Sequence, residues 1–457
     1  MNILVIGNGF DLAHELPTKY SDFLEFCKRV FPIYENTEGR STNLYQREYL
    51  FEWIFNKEIK DALKSAYRSR NKINAKEKES SIQTDYPRLD EMYSVIKNNI
   101  WIEYFLQCNM YQKENWIDFE SEISKVIQSL DDDMRGLSEL YSIEDIVCDL
   151  SNEFLKEKYS NYIDAVQPVN PIINDCSEGI TFKEIRNKLL DDLNSFIRAF
   201  EIYLTEYVEK IDCKLISPDI QRTLPKEFMK INGMPVYNAC VLSFNYTNTY
   251  QRLYIDKVGK YKHFGRNIDY IHGKADISNT IESNNMVLGI DEYLPENRKN
   301  NDIEFIAFKK FYQRIYKNTG CRYKEWLESI QSAYAASLKS EANCKKFMDY
   351  AMMRHDNEEA MQWFNKIQEY AKIRDEEVHN LYIFGHSLDI TDKDILRDLI
   401  LNDNVYTTIF HHDKDTMGQQ IANLVKVIGQ DELIRRTGGS AKTIEFKQQQ
   451  PMIPIKE

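Results

Sequence analysis

Two kinds of apolar pattern alternate along the chain and predict its elements. Short continuous apolar runs, typical of buried β-strands, occupy residues 2–6, 236–244, 268–271, 286–290, 381–384 and 405–410. Stretches with helical periodicity separate several of these runs, as a mostly parallel sheet requires. The pattern therefore predicts an α/β fold: a Rossmann-like, mostly parallel sheet with a large helical insertion.

The region from Phe23 to about Lys230 carries almost no strand pattern. Apolar residues that recur every four positions in it predict one amphipathic helix, formed by Met92, Ile96, Ile100, Tyr104 and Cys108. Residues 301 to about 374 are again helical in pattern. The polar tail after Gly438 is expected to be loosely ordered.

These patterns divide the chain into two predicted domains. The first is a discontinuous Rossmann-like nucleotide-binding core of residues 1–24 and 232–457, with a helical insertion at about residues 301–375. The second is a helical insertion domain of residues 25–231. A length of 457 residues fits such a division and is enough to bury a sizeable core.

Charge and cysteine content narrow the classes of function. The net charge of −13 argues against a general attraction to nucleic acid. The stretch from Lys57 to Lys78 is locally basic, but such a run is more often a solvated helix face. The eight cysteines include no C-x-x-C pair, so we expect neither a disulfide framework nor a bound metal. No signal peptide or membrane-length apolar run is apparent, and we expect a cytoplasmic protein without a membrane partner.

A glycine turn follows the first predicted strand directly, at Gly7, Asn8 and Gly9. A strand, a glycine turn and a helix together form an anion-binding arrangement, because the backbone can approach a phosphate at the helix N-terminus. The third position of the dinucleotide fingerprint is Leu12, and no acidic residue follows at the expected distance, which argues against an ordinary dehydrogenase. Asp11 is expected to cap the helix, to bind a ribose hydroxyl, or to stabilise positive charge on a sugar ring.

Polar residues follow two further strands. Asn245 can read an amide or a ribose hydroxyl, or it can close its strand as an Asx-turn. His272, which precedes a glycine, is a candidate general base near neutral pH, and His263 competes with it.

A second glycine turn follows the run at 381–384, formed by Gly385, His386 and Ser387. Ser387 is a candidate phosphate ligand, whereas His386 either contacts the substrate or fills the turn. The motifs of P-loop NTPases, zincins and α/β hydrolases are all absent from the sequence.

Together these residues resemble the AbiH family of phage abortive-infection proteins. The motifs that carry the resemblance are Ile6-Gly7-Asn8-Gly9-Phe10-Asp11-Leu12-Ala13-His14 with Leu16-Pro17-Thr18, Trp116-x-Asp118-Phe119-Glu120, Phe244-Asn245-Tyr246-Thr247, Ile271-His272-Gly273, and Phe384-Gly385-His386-Ser387 with Asp389. They span nearly the whole chain in the expected order. The resemblance implies a role in antiviral defence, with a phage trigger that the sequence does not identify.

A more distant resemblance, to sirtuin-like NAD-consuming domains, rests on spacing. Gly7, Gly9 and Pro17 keep the spacing of the glycine loop of those domains. Asp11 replaces the serine of that loop, Glu15 replaces a glycine, and the four-cysteine zinc module is absent, which argues against protein deacylation. Bacterial defence relatives without the zinc module cleave NAD, so the resemblance implies hydrolysis of NAD or a related nucleotide, with no further cofactor.

The resemblance also implies a role for each matching residue. Gly7, Asn8 and Gly9 would bind the pyrophosphate, and Gly385, His386 and Ser387 would form the second phosphate-binding turn. Asn245 would position ribose and water. His272 would act as the base, and Asp11 would offset oxocarbenium charge. Two alternatives stay open. The first is a nucleotide-sensing module that does not need His272, and the second is an RNA-directed nuclease, which the acidic charge disfavours. The sequence also leaves a homo-oligomer open.

Overall fold

The structure is a computed structural model. It describes residues 1–35, 56–74, 88–108, 111, 113, 117–138, 146–147, 149–165, 179–221, 230–235, 239–257, 267–376, 378–402 and 404–455. The chain divides into two compact units. The first unit comprises Met1–Glu15, Cys213–Ile271 and Thr319–Glu457, and the second comprises Leu16–Asp212 and His272–Asn318.

A six-stranded parallel sheet forms the centre of the first unit. Its strands are β1 (Asn2–Ile6), β2 (Ala239–Ser243), β3 (Ile268–Tyr270), β4 (His379–Phe384), β5 (Val405–His411) and β6 (Ile444–Gln448). Their spatial order is β3-β2-β1-β4-β5-β6, and every neighbouring pair is parallel. This is the strand order 3-2-1-4-5-6 of doubly wound nucleotide-binding sheets. The predicted α/β fold with a parallel sheet is confirmed.

The apolar runs became central strands because both faces of the sheet are covered. Ile3 and Val5 of β1 face one core cluster, whereas Leu4 and Ile6 face the other. Strands buried on both faces require continuous apolar residues rather than alternation, which is what the sequence of β1 provides.

The α-helices of the described residues are α1 (Asn8–Ala13), α2 (Tyr20–Glu35), α3 (Lys57–Asn74), α4 (Leu89–Ile96), α5 (Ile100–Gln107), α6 (Phe119–Ser138), α7 (Glu153–Lys158), α8 (Ser160–Ala165), α9 (Phe182–Ile202), α10 (Lys310–Tyr316), α11 (Tyr323–Met353), α12 (Asn357–Glu376), α13 (Lys393–Ile400), α14 (Lys414–Ile428) and α15 (Gln430–Thr437). Two π-helices, Tyr203–Val208 and Gln251–Lys257, accompany them. No described helix is long and apolar enough to cross a membrane.

The second unit is built around aromatic side chains on its helices. Phe196 of α9 lies edge-on against Phe23 and Phe119, with ring centroids 5.3 and 4.9 Å away. The helix that carries Phe196 begins with a capping box, in which Thr181 and Glu184 satisfy each other's backbone N–H groups. Local capping and aromatic burial therefore act together to place α9 in this core.

The helix predicted across residues 92–108 is wrong in one respect, because the structure contains two helices there. α4 ends at Ile96, and Asn98 adopts a left-handed conformation with a φ of 57°. The side chain of Asn99 then caps α5 by accepting from the N–H groups of Trp101 and Ile102. The apolar spacing continues across the break, so periodicity alone did not reveal it.

Two further predictions are corrected, one of a strand and one of a loosely ordered tail. Residues 286–290 form no strand, and Ile290 makes only an isolated bridge to Lys309. The tail after Gly438 contains the ordered edge strand β6, which pairs with β5 from Thr407↔Ile444 to His411↔Gln448. Its alternating sequence IEFKQ buries Ile444 and exposes Glu445, which is typical of an edge strand rather than of a disordered tail.

Candidate functional site

The carboxyl ends of the strands share one edge of the sheet in the first unit. Ile6, the last residue of β1, is in register with Ser243 of β2 and with Phe384 of β4. The strand order reverses between β1 and β4, and ligands of open α/β sheets bind in the crevice at such a switch point. The loops that begin at Gly7, Phe244 and Gly385 therefore meet where the fold class places its ligand.

Backbone contacts already occupy the first glycine turn. The N–H groups of Gly7 and Gly9 donate to the carbonyl oxygens of Phe384 and Gly385, at 3.0 and 2.8 Å, and that of Phe10 donates to Gly7 at 2.8 Å. A Cβ atom on Gly9 would lie 2.7 Å from the Cα of Gly385, so this glycine is required for loop packing. A phosphate bound by the N–H of Gly9 would have to displace the Gly385 carbonyl.

Asp11 lies inside α1, whose N-cap residue is Gly7, so the prediction that Asp11 caps this helix is wrong. Its carboxylate is buried, and Oδ2 accepts a hydrogen bond of 2.6 Å from the hydroxyl of Thr247. The Thr247 hydroxyl in turn accepts from Thr249 at 3.1 Å. This chain of bonds ties α1 to the segment after β2 and holds a carboxylate at the switch-point edge.

Asn245 presents a buried amide at the same edge. Its backbone is fixed by Ser243, whose hydroxyl accepts from the Asn245 N–H at 3.2 Å and donates to the Asn245 carbonyl at 3.1 Å. The side chain is only 5% exposed, yet neither Nδ2 nor Oδ1 has a hydrogen-bond partner among the described residues. The Asx-turn alternative is therefore wrong for this side chain. A buried polar group without a partner costs about 1–3 kcal/mol, and such a group calls for an explanation.

His14 is a buried residue of the first unit to which the sequence analysis gave no role. Its Nδ1 lies 2.7 Å from the Phe10 carbonyl oxygen, and its Nε2 lies 2.7 Å from the Tyr254 hydroxyl. Because a carbonyl only accepts, Nδ1 carries the proton and Nε2 accepts from Tyr254. Burial is the main cause that lowers the pKa of His14 to about 4; the bond to the Phe10 carbonyl opposes it and the charge of Arg252 adds to it, so the ring is neutral near pH 7. His14 therefore fixes the end of α1.

His386 fills the second glycine turn. Its Nδ1 accepts from the Leu388 N–H at 2.9 Å, so the proton is on Nε2, which faces Asp392 Oδ2 at 3.4 Å. The ring lies edge-on against Phe244, with centroids 4.2 Å apart. Both ring nitrogens are thus engaged in holding the loop. Ser387 is exposed, and its carbonyl accepts from Asn423 Nδ2 at 2.9 Å.

His272 belongs to the second unit. The residue is buried, and its carbonyl accepts from the Val287 N–H at 2.8 Å. Gly273 beside it has a φ of 75°, and a Cβ there would lie 2.0 Å from the Asn285 carbonyl oxygen, so only glycine fits. Its role as a general base stays a prediction. The competing His263 lies outside the described residues.

The tryptophan-containing motif contributes to the core of the second unit. Trp116 itself lies outside the described residues. Phe119 is fully buried and stacks on Phe105, with centroids 4.5 Å apart. Glu120 pairs with the buried Lys310 at 2.7 Å. The described part of this motif therefore has a structural explanation.

No group of His, Cys, Asp or Glu side chains in the described ranges is arranged to hold a metal ion. The basic stretch begins on α3, but residues 75–78 lie outside the described ranges, so its surface is only partly described.

The family model described as Bacteriophage abortive infection AbiH matches residues 3–412, which include both glycine turns, Asn245 and His272. No curated protein and no solved structure matches the chain.

Proposed function

Since the chain belongs to the AbiH family of bacteriophage abortive infection proteins, its role lies in antiphage defence, and we propose that it acts by hydrolysing NAD or a related nucleotide at the glycosidic bond. The observation that carries the proposal is the side chain of Asn245. It is buried at the switch-point edge, and both of its polar atoms lack partners among the described residues. A bound ligand would supply those partners.

The chemistry of an amide suits ribose and water. Oδ1 accepts a hydrogen bond and Nδ2 donates two, so one amide can accept from a ribose hydroxyl and donate to an attacking water. Binding would then recover the free energy that burial of the unpartnered amide costs. An apolar ligand would recover none of it, so the site favours a polar ligand over an apolar one.

The proposed reaction requires stabilisation of positive charge on the ribose and no general acid for the leaving group. The bond between ribose C1′ and the nicotinamide nitrogen breaks, and its electron pair neutralises the charge on that nitrogen. Water forms the new C1′–O bond and loses a proton, which gives ADP-ribose, nicotinamide and H⁺. The buried carboxylate of Asp11 would stabilise the oxocarbenium-like transition state electrostatically. The proton from water goes to a base, which is the role that the sirtuin-like resemblance implies for His272.

The phosphate contacts of the proposed complex follow from which groups are exposed. The N–H groups of Gly7 and Gly9 already donate to backbone carbonyls. The pyrophosphate contacts are therefore assigned to Asn8, at the start of α1, and to the exposed hydroxyl of Ser387. Gly385 and His386 then shape the second turn, and they do not bind phosphate through their side chains.

The test replaces Asn245 by a side chain of similar size without polar atoms. Asn245→Leu should abolish NAD loss and cellular toxicity while the free energy of unfolding stays equal or rises, because an unpartnered buried amide is removed. A fall in stability would instead assign Asn245 a structural role. Asn423→Leu is the matched control, since this equally buried amide donates to the Ser387 carbonyl and its loss should lower stability.

A nucleotide sensor would give a different pattern of results. Wild-type protein would bind NAD without consuming it, and His272→Ala would keep both binding and toxicity. If the protein is a hydrolase, His272→Ala should keep most of the affinity for NAD but slow NAD turnover by about a hundred- to ten-thousand-fold, the usual contribution of a general base. Calorimetry and NAD loss measured on the same preparations separate the two.

A further inference from the structure

One face of the central sheet is open to solvent across β4, β5 and β6. Tyr382, Tyr406 and Glu445 lie on this face, and Tyr406 is 47% exposed, whereas the residues that alternate with them, such as Leu381 and Ile444, are buried on the other face. Parallel sheets are normally covered on both faces, so an open stretch calls for an explanation. A cavity of about 570 Å³ lies over it, a volume typical of small-molecule sites.

The hairpin turn at Asn232 and Gly233 lines one end of this cavity. Both residues have a positive φ, 50° and 86°, as this type of two-residue turn requires. The Asn232 N–H donates to Ser217 Oγ at 3.1 Å, and the Gly233 N–H donates to Asp219 Oδ2 at 2.9 Å. Two side chains from the preceding segment therefore fix the position of the turn.

The side chain of Asn232 places a buried donor at this end of the cavity. Its Oδ1 accepts from the Gln450 N–H, and because a backbone N–H only donates, the other amide atom is the Nδ2 donor. The residue is 4% exposed, and Nδ2 has no hydrogen-bond partner among the described residues. A buried donor without a partner is unfavourable, and an acceptor on a ligand would supply the missing bond.

A cation lies beside this amide. A Cβ atom on Gly233 would lie 3.9 Å from Lys447 Nζ, so the ammonium group lies next to the turn. Lys447 also lines the cavity and is exposed. An ammonium group and an amide donor at the same end of a cavity favour an anionic group on the ligand.

A carboxylate and two aromatic rings follow along the cavity. Glu445 comes two residues before Lys447 on β6, and its Oε1 accepts from the Thr408 hydroxyl at 3.2 Å. Burial, and after it the charge of Glu445, raises the pKa of Tyr382, so the carboxylate lies close to that ring. Lys447 is in register with the residue four positions after Tyr406 on β5, so about 13 Å of strand separates the two.

From this arrangement we propose that the cavity over β4, β5 and β6 is a second ligand site, which binds a nucleotide. The phosphate accepts from Asn232 Nδ2 and pairs with Lys447, the ribose hydroxyls donate to Glu445, and the base packs on Tyr406. A carboxylate accepts several hydrogen bonds, so Glu445 keeps its bond to Thr408. Bases stack readily on aromatic side chains.

The order of these groups favours a nucleotide over a simpler ligand. Inorganic phosphate would use the end at Asn232 and Lys447 and leave Tyr406 without a contact. A neutral nucleoside would use Tyr406 and Glu445 and leave Lys447 without an anion. Asn245 does not line this cavity, so the second site does not depend on the proposed hydrolysis.

Calorimetric titration of the full chain with AMP tests the site, in an Asn245→Leu background so that Asn245 contributes nothing to the signal. Asn232→Asp keeps the acceptor for Gln450 and suits the same turn, but it replaces the Nδ2 donor by a negatively charged oxygen. It should weaken AMP binding by about tenfold or more. Lys426→Gln, at an exposed lysine of α14 that does not line the cavity, should leave the affinity unchanged.

Two further probes separate the halves of the ligand. Adenosine and inorganic phosphate should each bind at least about tenfold more weakly than AMP, because each lacks part of the contacts. Photolabelling with 8-azido-AMP, followed by mass spectrometry of the peptides, should modify the peptide that contains Tyr406.

Three results would overturn the proposal: a folded background protein that does not bind AMP, equal AMP affinities of the Asn232→Asp and Lys426→Gln variants, or binding of phosphate or adenosine as tight as that of AMP. The melting temperature of each variant is measured in parallel. If Asn232→Asp fails to fold, Tyr406→Ala takes its place, because its side chain is 47% exposed. Loss of the stacked ring should weaken AMP binding by about fivefold or more, and an unchanged affinity would equally overturn the proposal.

Discussion

The hydroxyl of Thr247 donates a 2.6 Å hydrogen bond to the buried carboxylate of Asp11, although 236 residues separate them in the sequence. Asp11 lies on the helix after β1, and Thr247 lies on the segment after β2. Because both strands end at the same sheet edge, this bond fixes the two loops to each other and determines where the carboxylate lies relative to Asn245. The position of Asp11 in the candidate site therefore depends on Thr247, a residue that the first glycine motif does not contain.

Removal of this hydrogen bond should destabilise the first unit. Thr247→Val keeps the shape of the side chain but removes the 2.6 Å hydrogen bond to a buried carboxylate, which should lower the free energy of unfolding by about 1–3 kcal/mol. Urea denaturation measures the change. Thr408→Val is the control, because its hydroxyl bonds Glu445 at the surface and its loss should change stability by less than about 0.5 kcal/mol. Equal effects of the two substitutions would argue against an organising role for Thr247.

A methyl group at Gly9 should disrupt the contact between the glycine turns. The new Cβ would lie 2.7 Å from the Cα of Gly385, which is backbone and has little room to move. We expect Gly9→Ala to lower the melting temperature. Gly418→Ala, in α14, meets no atom within 4 Å and should raise stability by about 0.5–1 kcal/mol through helix propensity. A tolerated Gly9→Ala would mean that the two turns separate more easily than the structure indicates.

Stability should fall in acid because of His14. Its pKa is lowered from 6.5 to about 4 in the folded chain, so the unfolded state binds a proton first. The stabilising contribution is complete above pH 6.5 and is lost as the pH falls through about 4, by about 3 kcal/mol in all. Denaturation at a series of pH values should show a shallower decline in His14→Gln than in wild type. Parallel curves would contradict a neutral buried ring.

Continuous apolar runs sufficed to predict most of the sheet, because strands buried on both faces are apolar along their whole length. The run at 286–290 is equally apolar, but its backbone bonds to turns and to Lys309 rather than to a neighbouring strand. β6 was not predicted because only Ile444 of this edge strand is fully buried. The polar residues that follow it give the same sequence pattern as a disordered tail. In both cases, whether the segment pairs with a neighbouring strand depends on the tertiary structure and not on its own sequence.

The candidate site, like the sheet, could be predicted from the sequence only in part. Strand-end logic placed Gly7, Asn245 and Gly385 at one edge without any structure, because parallel strands share their direction. It did not reveal that the Gly385 carbonyl occupies the N–H of Gly9, or that His386 uses both ring nitrogens within its own loop. Those contacts depend on how the loops pack in the folded chain, and no local sequence pattern determines that packing.

The most direct measurement follows NAD by mass after incubation with the purified full chain, for wild type and for Asn245→Leu. Wild type is expected to convert NAD to nicotinamide and ADP-ribose, whereas the folded Asn245→Leu variant should leave NAD at the level of the protein-free control. Intact NAD with a wild-type protein that binds it, or equal loss with both proteins, would contradict the assignment of Asn245 to a glycosidic hydrolase site.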